Sequence, residues 1–208
     1  MLNSIEITDI TKTKKGFNAL FSEGEFLFSV DDMLLAQQKI KIGSCFSQQE
    51  LTFILEKSET SRAVQKAYNL LSFRPHSQKE LSDKLTKTFD RETSQKAVEK
   101  MVELGLVNDE EYCTAKAEYL IDVKKTSLAH TRLKLLSLGI DKDIIEDCLQ
   151  FYDRQTQEES LDRLLQTKYQ SKLSNPDKVI QSLMRKGFGY SEIKAALNRL
   201  EIETEEDF

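Results

Sequence analysis

Glycine and proline are scarce in this sequence, with seven glycines and two prolines among 208 residues. Because these two residues interrupt helices, most of the chain is free to be helical. No apolar run approaches the roughly 18 residues needed to span a bilayer, and the first eleven residues mix polar, acidic and apolar types unlike a signal peptide. The composition, 39% hydrophobic and 31% charged, is that of a folded globular protein. We therefore expect a cytoplasmic protein without membrane contact.

Cysteine and histidine are also sparse. Cys45, Cys113 and Cys148 are odd in number, far apart and in no metal-binding spacing, which predicts reduced thiols, with Cys148 in the core. His76 and His130 have no ligand at metal-binding spacing, and His76 is predicted to be a loop residue. The chain has neither a glycine-rich phosphate loop nor a GxSxG serine motif. We therefore expect no catalytic site, no cofactor and no metal.

Charge is unevenly distributed along the chain. The net charge is −5, but five acids lie within the last eight residues, and without them 30 basic residues face 30 acidic ones. The chain is therefore not basic overall. Any contact with nucleic acid must come from local patches.

The first 46 residues differ from the rest. Strand candidates lie at Ile5–Ile10, Phe17–Phe21 and Glu25–Val30, and Asp31 with Asp32 is predicted to cap a short helix ending at Gln37. A meander of two or three strands is marginal alone, so we expect it to pack on a helix.

From Ser47 onward the pattern is helical and repeats. Val98, Ile145 and Ile193 lie on matching apolar stripes, 47 and 48 residues apart. A period of this size is typical of arrays in which each unit buries its apolar face against its neighbours. The predicted fold is therefore mainly α, with tandem three-helix, helix-turn-helix-like repeats in an elongated curved array and a small β-rich N-terminal segment.

Local signals support these helices. Ser47 with Glu50 and Ser77 with Glu80 predict capping boxes at helix starts. The predicted division is a β-rich segment at 1–46, a connecting helix at 47–58, repeats at 59–107, 108–154 and 155–202, and an acidic tail at 203–208. Three tyrosines share the repeat spacing and are predicted to be core residues with a polar tip, with base stacking as the alternative; they are Tyr68, Tyr119 and Tyr169.

The repeats resemble the RecX family, the regulators of the RecA recombinase. Ala67–Leu81 resembles the signature of the family's first repeat, and Leu106–Tyr112 resembles its junction between repeats. Gly139-Ile140 and Arg185–Phe188 match its glycine-apolar turns. The sequence departs from the family pattern at Thr126–Leu128, where members tend to carry a glycine after a lysine.

The resemblance implies a function. A member of this family binds the RecA filament on single-stranded DNA and inhibits its recombinase, ATPase and coprotease activities in DNA repair. It uses no cofactor. For this chain we expect a contact with single-stranded DNA that is direct and weak, and we expect a monomer. Two alternatives stay open: a DNA-binding protein acting through helix-turn-helix-like units, and a helical scaffold for other partners.

Two segments are locally basic. Residues 123–140 carry four cations and no acid, and residues 166–186 carry five cations against Asp177. Both are predicted to contact RecA or nucleic acid, the alternative being a solvated helix face. For Arg74, the alternative is neutralisation of a helix C-terminus. The candidate contact residues are Arg74, Lys84, Lys87, Lys124, Lys125, Arg132, Lys134, Lys168, Lys172, Arg185 and Lys186.

Overall fold

The computed structural model of the chain describes residues 4–206. It divides between Val107 and Asn108 into two compact halves, which are described separately below. Among the described residues, no helix combines the length and the apolar character needed to cross a bilayer.

The N-terminal half begins with short strands. The described residues form five of them, at Ser4–Glu6 (β1), Asp9–Lys12 (β2), Asn18–Ser22 (β3), Glu25–Val30 (β4) and Cys45–Ser47 (β5). β2, β3 and β4 form an antiparallel meander, and β1 pairs antiparallel with β5. The predicted β-rich segment is confirmed. The first strand candidate is in fact two strands that join different sheets, and β5 was not predicted.

Turn and cap chemistry shapes this segment. Glu23 and Gly24 have φ values of 50° and 85°, the left-handed pair of a tight hairpin turn between β3 and β4. The Asp31 carboxylate accepts a 2.7 Å hydrogen bond from the Leu34 amide and caps α1, Asp32–Gln37. Apolar side chains of the strands pack on Leu51 and Ile54 of the following helix. The small sheets therefore share one core with that helix, as expected.

The rest of the described chain is helical. In the N-terminal half the helices are Gln48–Leu71 (α2), Gln78–Leu85 (α3) and Arg91–Glu103 (α4). In the C-terminal half they are Asp109–Glu118 (α5), Leu128–Ser137 (α6), Lys142–Leu149 (α7), Arg154–Gln166 (α8), Pro176–Met184 (α9) and Tyr190–Glu206 (α10). A π-helical turn, Tyr119–Val123, extends α5, and a 3₁₀ turn, Gln170–Lys172, precedes α9.

The helices form three triplets, each around its own apolar cluster. α2, α3 and α4 enclose the first cluster, α5, α6 and α7 the second, and α8, α9 and α10 the third. Val98, Ile145 and Ile193, matched by the repeat period, are all buried. The mainly helical fold with three-helix repeats is thus confirmed. We call the triplets the first, second and third repeat.

Side chains and glycines cap the helix ends. Ser47 and Glu50 form a complete capping box, as predicted. After α4 and α6, Gly105 and Gly139 take left-handed φ values of 68° and 78°. α2 runs without a break through the predicted junction at residues 58 and 59, so the connecting helix and the first helix of the first repeat are one helix. The predicted domain boundaries otherwise stay a prediction, and residues 207–208 of the acidic tail lie outside the described residues.

Candidate functional site

The two basic segments predicted from the sequence meet in the C-terminal half. The Ser127 amide donates a 2.9 Å hydrogen bond to the Lys186 carbonyl, and the Ser127 hydroxyl donates a 2.7 Å bond to the Gly187 carbonyl. The Lys186 ammonium group donates to the Lys124 carbonyl. These bonds join the loop before α6 to the turn after α9. Segments about 60 residues apart thereby become one surface.

This junction depends on a glycine. Gly187 has a φ of 90°, and a Cβ at this position would lie 2.4 Å from His130 Cβ and 2.6 Å from Ser127 Oγ. The same Ser127 hydroxyl accepts a 3.1 Å hydrogen bond from the His130 amide and caps α6. Only glycine fits both the backbone conformation and the close approach.

Two lysines lie near the ring of an exposed tyrosine at this junction. Tyr119 is 41% exposed. The Lys116 and Lys124 ammonium groups lie 5.6 and 5.4 Å from its ring centroid, within cation–π distance. The Lys186 ammonium donates to the Lys124 carbonyl, and burial, followed by the positive charges of Lys168 and Lys124, lowers the pKa of Lys186. The Lys168 ammonium lies 5.9 Å from the ring centroid of Tyr169. We call Lys116, Tyr119, Lys124, Lys168 and Lys186 the Tyr119 cluster.

The backbone around Tyr119 is unusual. Tyr119 begins the π-helical turn, and its carbonyl accepts a 3.0 Å hydrogen bond from the Lys124 amide. Lys125 takes a left-handed φ of 53°, directly before the segment that departs from the family pattern. π-turns and left-handed non-glycine residues are both enriched at functional sites, where the surrounding structure holds them in place.

A second basic feature lies in the third repeat. A cleft of about 460 Å³ is bordered by Lys172, Lys178 and Arg185, and the described residues that line it carry no carboxylate. Tyr169 forms part of its wall and its hydroxyl lies 2.8 Å from Ser182 Oγ. We call this feature the third-repeat cleft. It contains two predicted contact residues, Lys172 and Arg185.

Arg132 is held differently from the prediction. Its guanidinium group forms two hydrogen bonds with the Glu146 carboxylate, from Nε at 2.7 Å and from NH2 at 2.9 Å. This pairing raises the pKa of Arg132 and lowers that of Glu146. Segment 123–140 has no acid of its own, but in the folded chain α7 places the Glu146 carboxylate against Arg132 of α6. Lys134 is exposed on α6, and Lys125 is half-buried in the preceding loop.

In the N-terminal half, two predicted contact residues hold a loop in place. The Arg74 guanidinium binds the Glu80 carboxylate, with NH1 3.0 Å from Oε2, so it anchors the start of α3. The Lys84 ammonium lies 2.7 Å from Nε2 of His76. His76 lies in a loop as predicted but is 3% exposed, and its Nδ1 lies 2.9 Å from the Arg74 carbonyl. Lys87 is exposed beyond α3.

The three repeat tyrosines differ in burial. Tyr169 is 4% exposed, as predicted for a core residue, but Tyr68 and Tyr119 are 40% and 41% exposed. The core prediction is therefore wrong for these two. Tyr68 lies in the regular helix α2 and Tyr119 begins the π-helical turn, so the ring at this repeat position is exposed with or without a π-turn. Sequence reasoning also missed Lys116, whose only signal was its position three residues before Tyr119.

Several known proteins are similar to this chain. The family model "RecX, first three-helix domain" matches residues 63–101. The regulatory protein RecX of Streptococcus gordonii is 30% identical over 98% of this chain and 80% of its own length. RecX of Bacillus subtilis is 30% identical over 97% of this chain and 79% of its own length.

Solved structures are similar as well. A crystal structure of regulatory protein RecX covers 93% of this chain and 99% of its own with a TM-score of 0.68 at 21% identity, a likeness of fold. A crystal structure of RecX from Lactobacillus salivarius covers 69% of this chain and 97% of its own with a TM-score of 0.58 at 26% identity.

Proposed function

We propose that this chain, which belongs to the RecX family, binds the RecA filament on single-stranded DNA and inhibits its recombinase, ATPase and coprotease activities. The relatives are regulatory proteins by name, and a regulatory role follows from the family. RecA as the partner, and inhibition as the effect, are the parts that we propose. We expect the protein to act as a monomer in the cytoplasm without a cofactor.

The convergence of the two basic segments is the observation that supports the proposal best. Lys124 and Lys186 come from different repeats yet meet through a hydrogen bond, and the positive charge of Lys168 contributes to the lowered pKa of Lys186. A filament carrying DNA phosphates offers the negative charge that such a surface attracts. Because many small contacts along a filament add up, a chain of three repeats suits a repeating partner.

The helix-turn-helix alternative is weakened by the charge of α7. In a helix-turn-helix protein the second helix of the pair enters the major groove. α7 holds that position after α6, but it carries Asp143, Glu146 and Asp147 against Lys142 alone. Phosphates on both sides of the groove would repel this helix. We therefore do not retain groove reading as a function.

The proposal is tested by the ATPase rate of RecA on single-stranded DNA. A protein that binds along the filament should lower this rate at substoichiometric amounts, because one bound molecule affects many subunits. A rate that stays unchanged up to equimolar protein would overturn the proposal. It would also favour the scaffold alternative, in which the repeats serve other partners.

A further inference from the structure

The Tyr119 ring is exposed although its neighbours are buried. Leu120 and Ile121, the next two residues, are 8% and 7% exposed, and Ile121 anchors the backbone in the core of the second repeat. Tyr169, at the matching repeat position, is buried. The ring of Tyr119 is thus presented to solvent from a fixed backbone, and the ammonium groups of Lys116 and Lys124 lie 5.6 and 5.4 Å from its centroid.

The lysines around the ring lack an internal counter-charge. In the part of the chain that the structure describes, no carboxylate forms an ion pair with the four lysines of the Tyr119 cluster. The neighbouring acids Asp122 and Glu118 add to burial in raising the pKa of Tyr152. Because like charges repel, such a group is most stable when an anion joins it.

Hydrogen bonds hold the cluster in place without a ligand. The π-turn positions Tyr119 and Lys124, and the bonds of Ser127 to Lys186 and Gly187 hold the third repeat against this loop. A site held by the backbone in this way loses little conformational entropy when it binds.

From this geometry we propose that the Tyr119 cluster binds single-stranded nucleic acid directly: a base stacks on the Tyr119 ring, and Lys124, Lys168 and Lys186 contact the flanking phosphates. Aromatic rings beside basic residues bind single strands in this way, largely without sequence preference. A duplex does not fit, because its bases are already stacked on one another. The inference rests on the proposed function, because the RecA filament is the source of the strand that the cluster would meet. The binding itself needs no RecA, so it can be measured with free single-stranded DNA.

The stacking component is tested with the full-length protein and a fluorescent oligothymidylate in an anisotropy titration. Tyr119→Ala should weaken binding by roughly 5- to 100-fold, the range that loss of one stacked base produces. Tyr119→Phe keeps the ring and should bind like the wild type. Tyr68→Ala removes a tyrosine of equal exposure, 40%, on α2 and should also leave affinity unchanged.

The phosphate component is tested with the same titration at several salt concentrations. Lys124→Gln and Lys168→Gln should each reduce the slope of log K against log salt by about 0.7, the contribution of one neutralised phosphate on a single strand. On a strand built from abasic units, which keeps the phosphates, these two variants should still weaken binding. Tyr119→Ala should then bind like the wild type, because no base is present to stack.

Two results would overturn the inference. One is equal affinity of Tyr119→Ala and wild type for oligothymidylate, provided that circular dichroism shows both proteins folded. The other is an equal loss in Tyr119→Ala and Tyr68→Ala. The proposed function fails separately: a wild type that binds the oligothymidylate through Tyr119 but leaves the RecA ATPase unchanged would refute RecA inhibition alone. Inhibition without any binding to the free strand would refute only the inference.

Discussion

The turn at Gly187 allows a quantitative test of how the second and third repeats are joined. In Gly187→Ala the new Cβ would stand 2.4 Å from His130 Cβ and 2.6 Å from Ser127 Oγ, distances that real Cβ contacts do not show. Both neighbours belong to α6 and its cap, and Ser127 is 1% exposed. The turn after α9 must therefore move away from the start of α6.

The cost has two parts. A left-handed alanine is strained by about 1–2 kcal/mol. Displacing the turn breaks the two hydrogen bonds from Ser127 to Lys186 and Gly187, which together contribute about 1–3 kcal/mol. We therefore expect the free energy of unfolding to fall by about 2–5 kcal/mol. In a chain of this length that corresponds to a decrease in Tm of about 4–20 °C.

Gly105→Ala is the matched control. Gly105 also has a left-handed φ, 68°, but nothing lies within 4 Å of its added Cβ. Only the strain of about 1–2 kcal/mol applies there. Urea unfolding followed by circular dichroism measures both variants. If the two alanines lower the free energy of unfolding equally, the close contact at Gly187 contributes nothing and the reasoning is wrong.

Three further predictions concern ionisable groups. Burial, then the charges of Arg74 and Lys84, lowers the pKa of His76 from 6.5, so the folded state favours the neutral ring. The free energy of unfolding should therefore be highest above pH 6.5 and decrease as the pH drops below it. Urea unfolding of His76→Gln should show a smaller decrease over the same pH range. Lys134→Glu should weaken binding to the RecA filament without lowering Tm. Arg132→Ala should lower the free energy of unfolding by at most about 1 kcal/mol, because the ion pair of Arg132 is exposed. If Lys134→Glu leaves filament binding unchanged, Lys134 belongs to a solvated helix face and not to a binding surface. Burial, followed by the nearby Cys148, raises the pKa of Cys113 to about 12, so a thiol reagent at neutral pH should modify exposed Cys45 first and Cys113 far more slowly, and the fast phase should vanish in Cys45→Ser.

Features that depend on neighbours along the chain could be predicted from the sequence. The capping box of Ser47 and the cap of Asp31 are formed by residues three positions away, so the local pattern contains all the information needed. The buried positions Val98, Ile145 and Ile193 follow from helical periodicity. Short strands that pair across the chain could not be predicted in this way: β1 and β5 have three residues each, too few to show alternation, and they pair across about 40 residues.

Contacts between distant residues also changed the predicted site. The segment 123–140 has no acid of its own, but Glu146 reaches Arg132 from the next helix. Arg74 and Lys84, predicted as contact residues, bind Glu80 and His76 within the first repeat. A count of charges along the sequence cannot detect these pairings, because helix packing decides which carboxylate meets which cation.

The Tyr119 cluster shows why a repeat period predicts cores better than binding surfaces. Tyr119 and Tyr169 hold matching positions, yet one ring is exposed near two lysines and the other lies in a core with its hydroxyl bonded to Ser182. The period fixes which positions must pack for each three-helix repeat to have a core, and the buried Ile145 and Ile193 satisfy it in both repeats. It leaves the residues at the edge of the apolar stripe free. The tyrosine is exposed in the first two repeats, on α2 and at the start of the π-turn, and buried in the third, while each repeat keeps its apolar cluster.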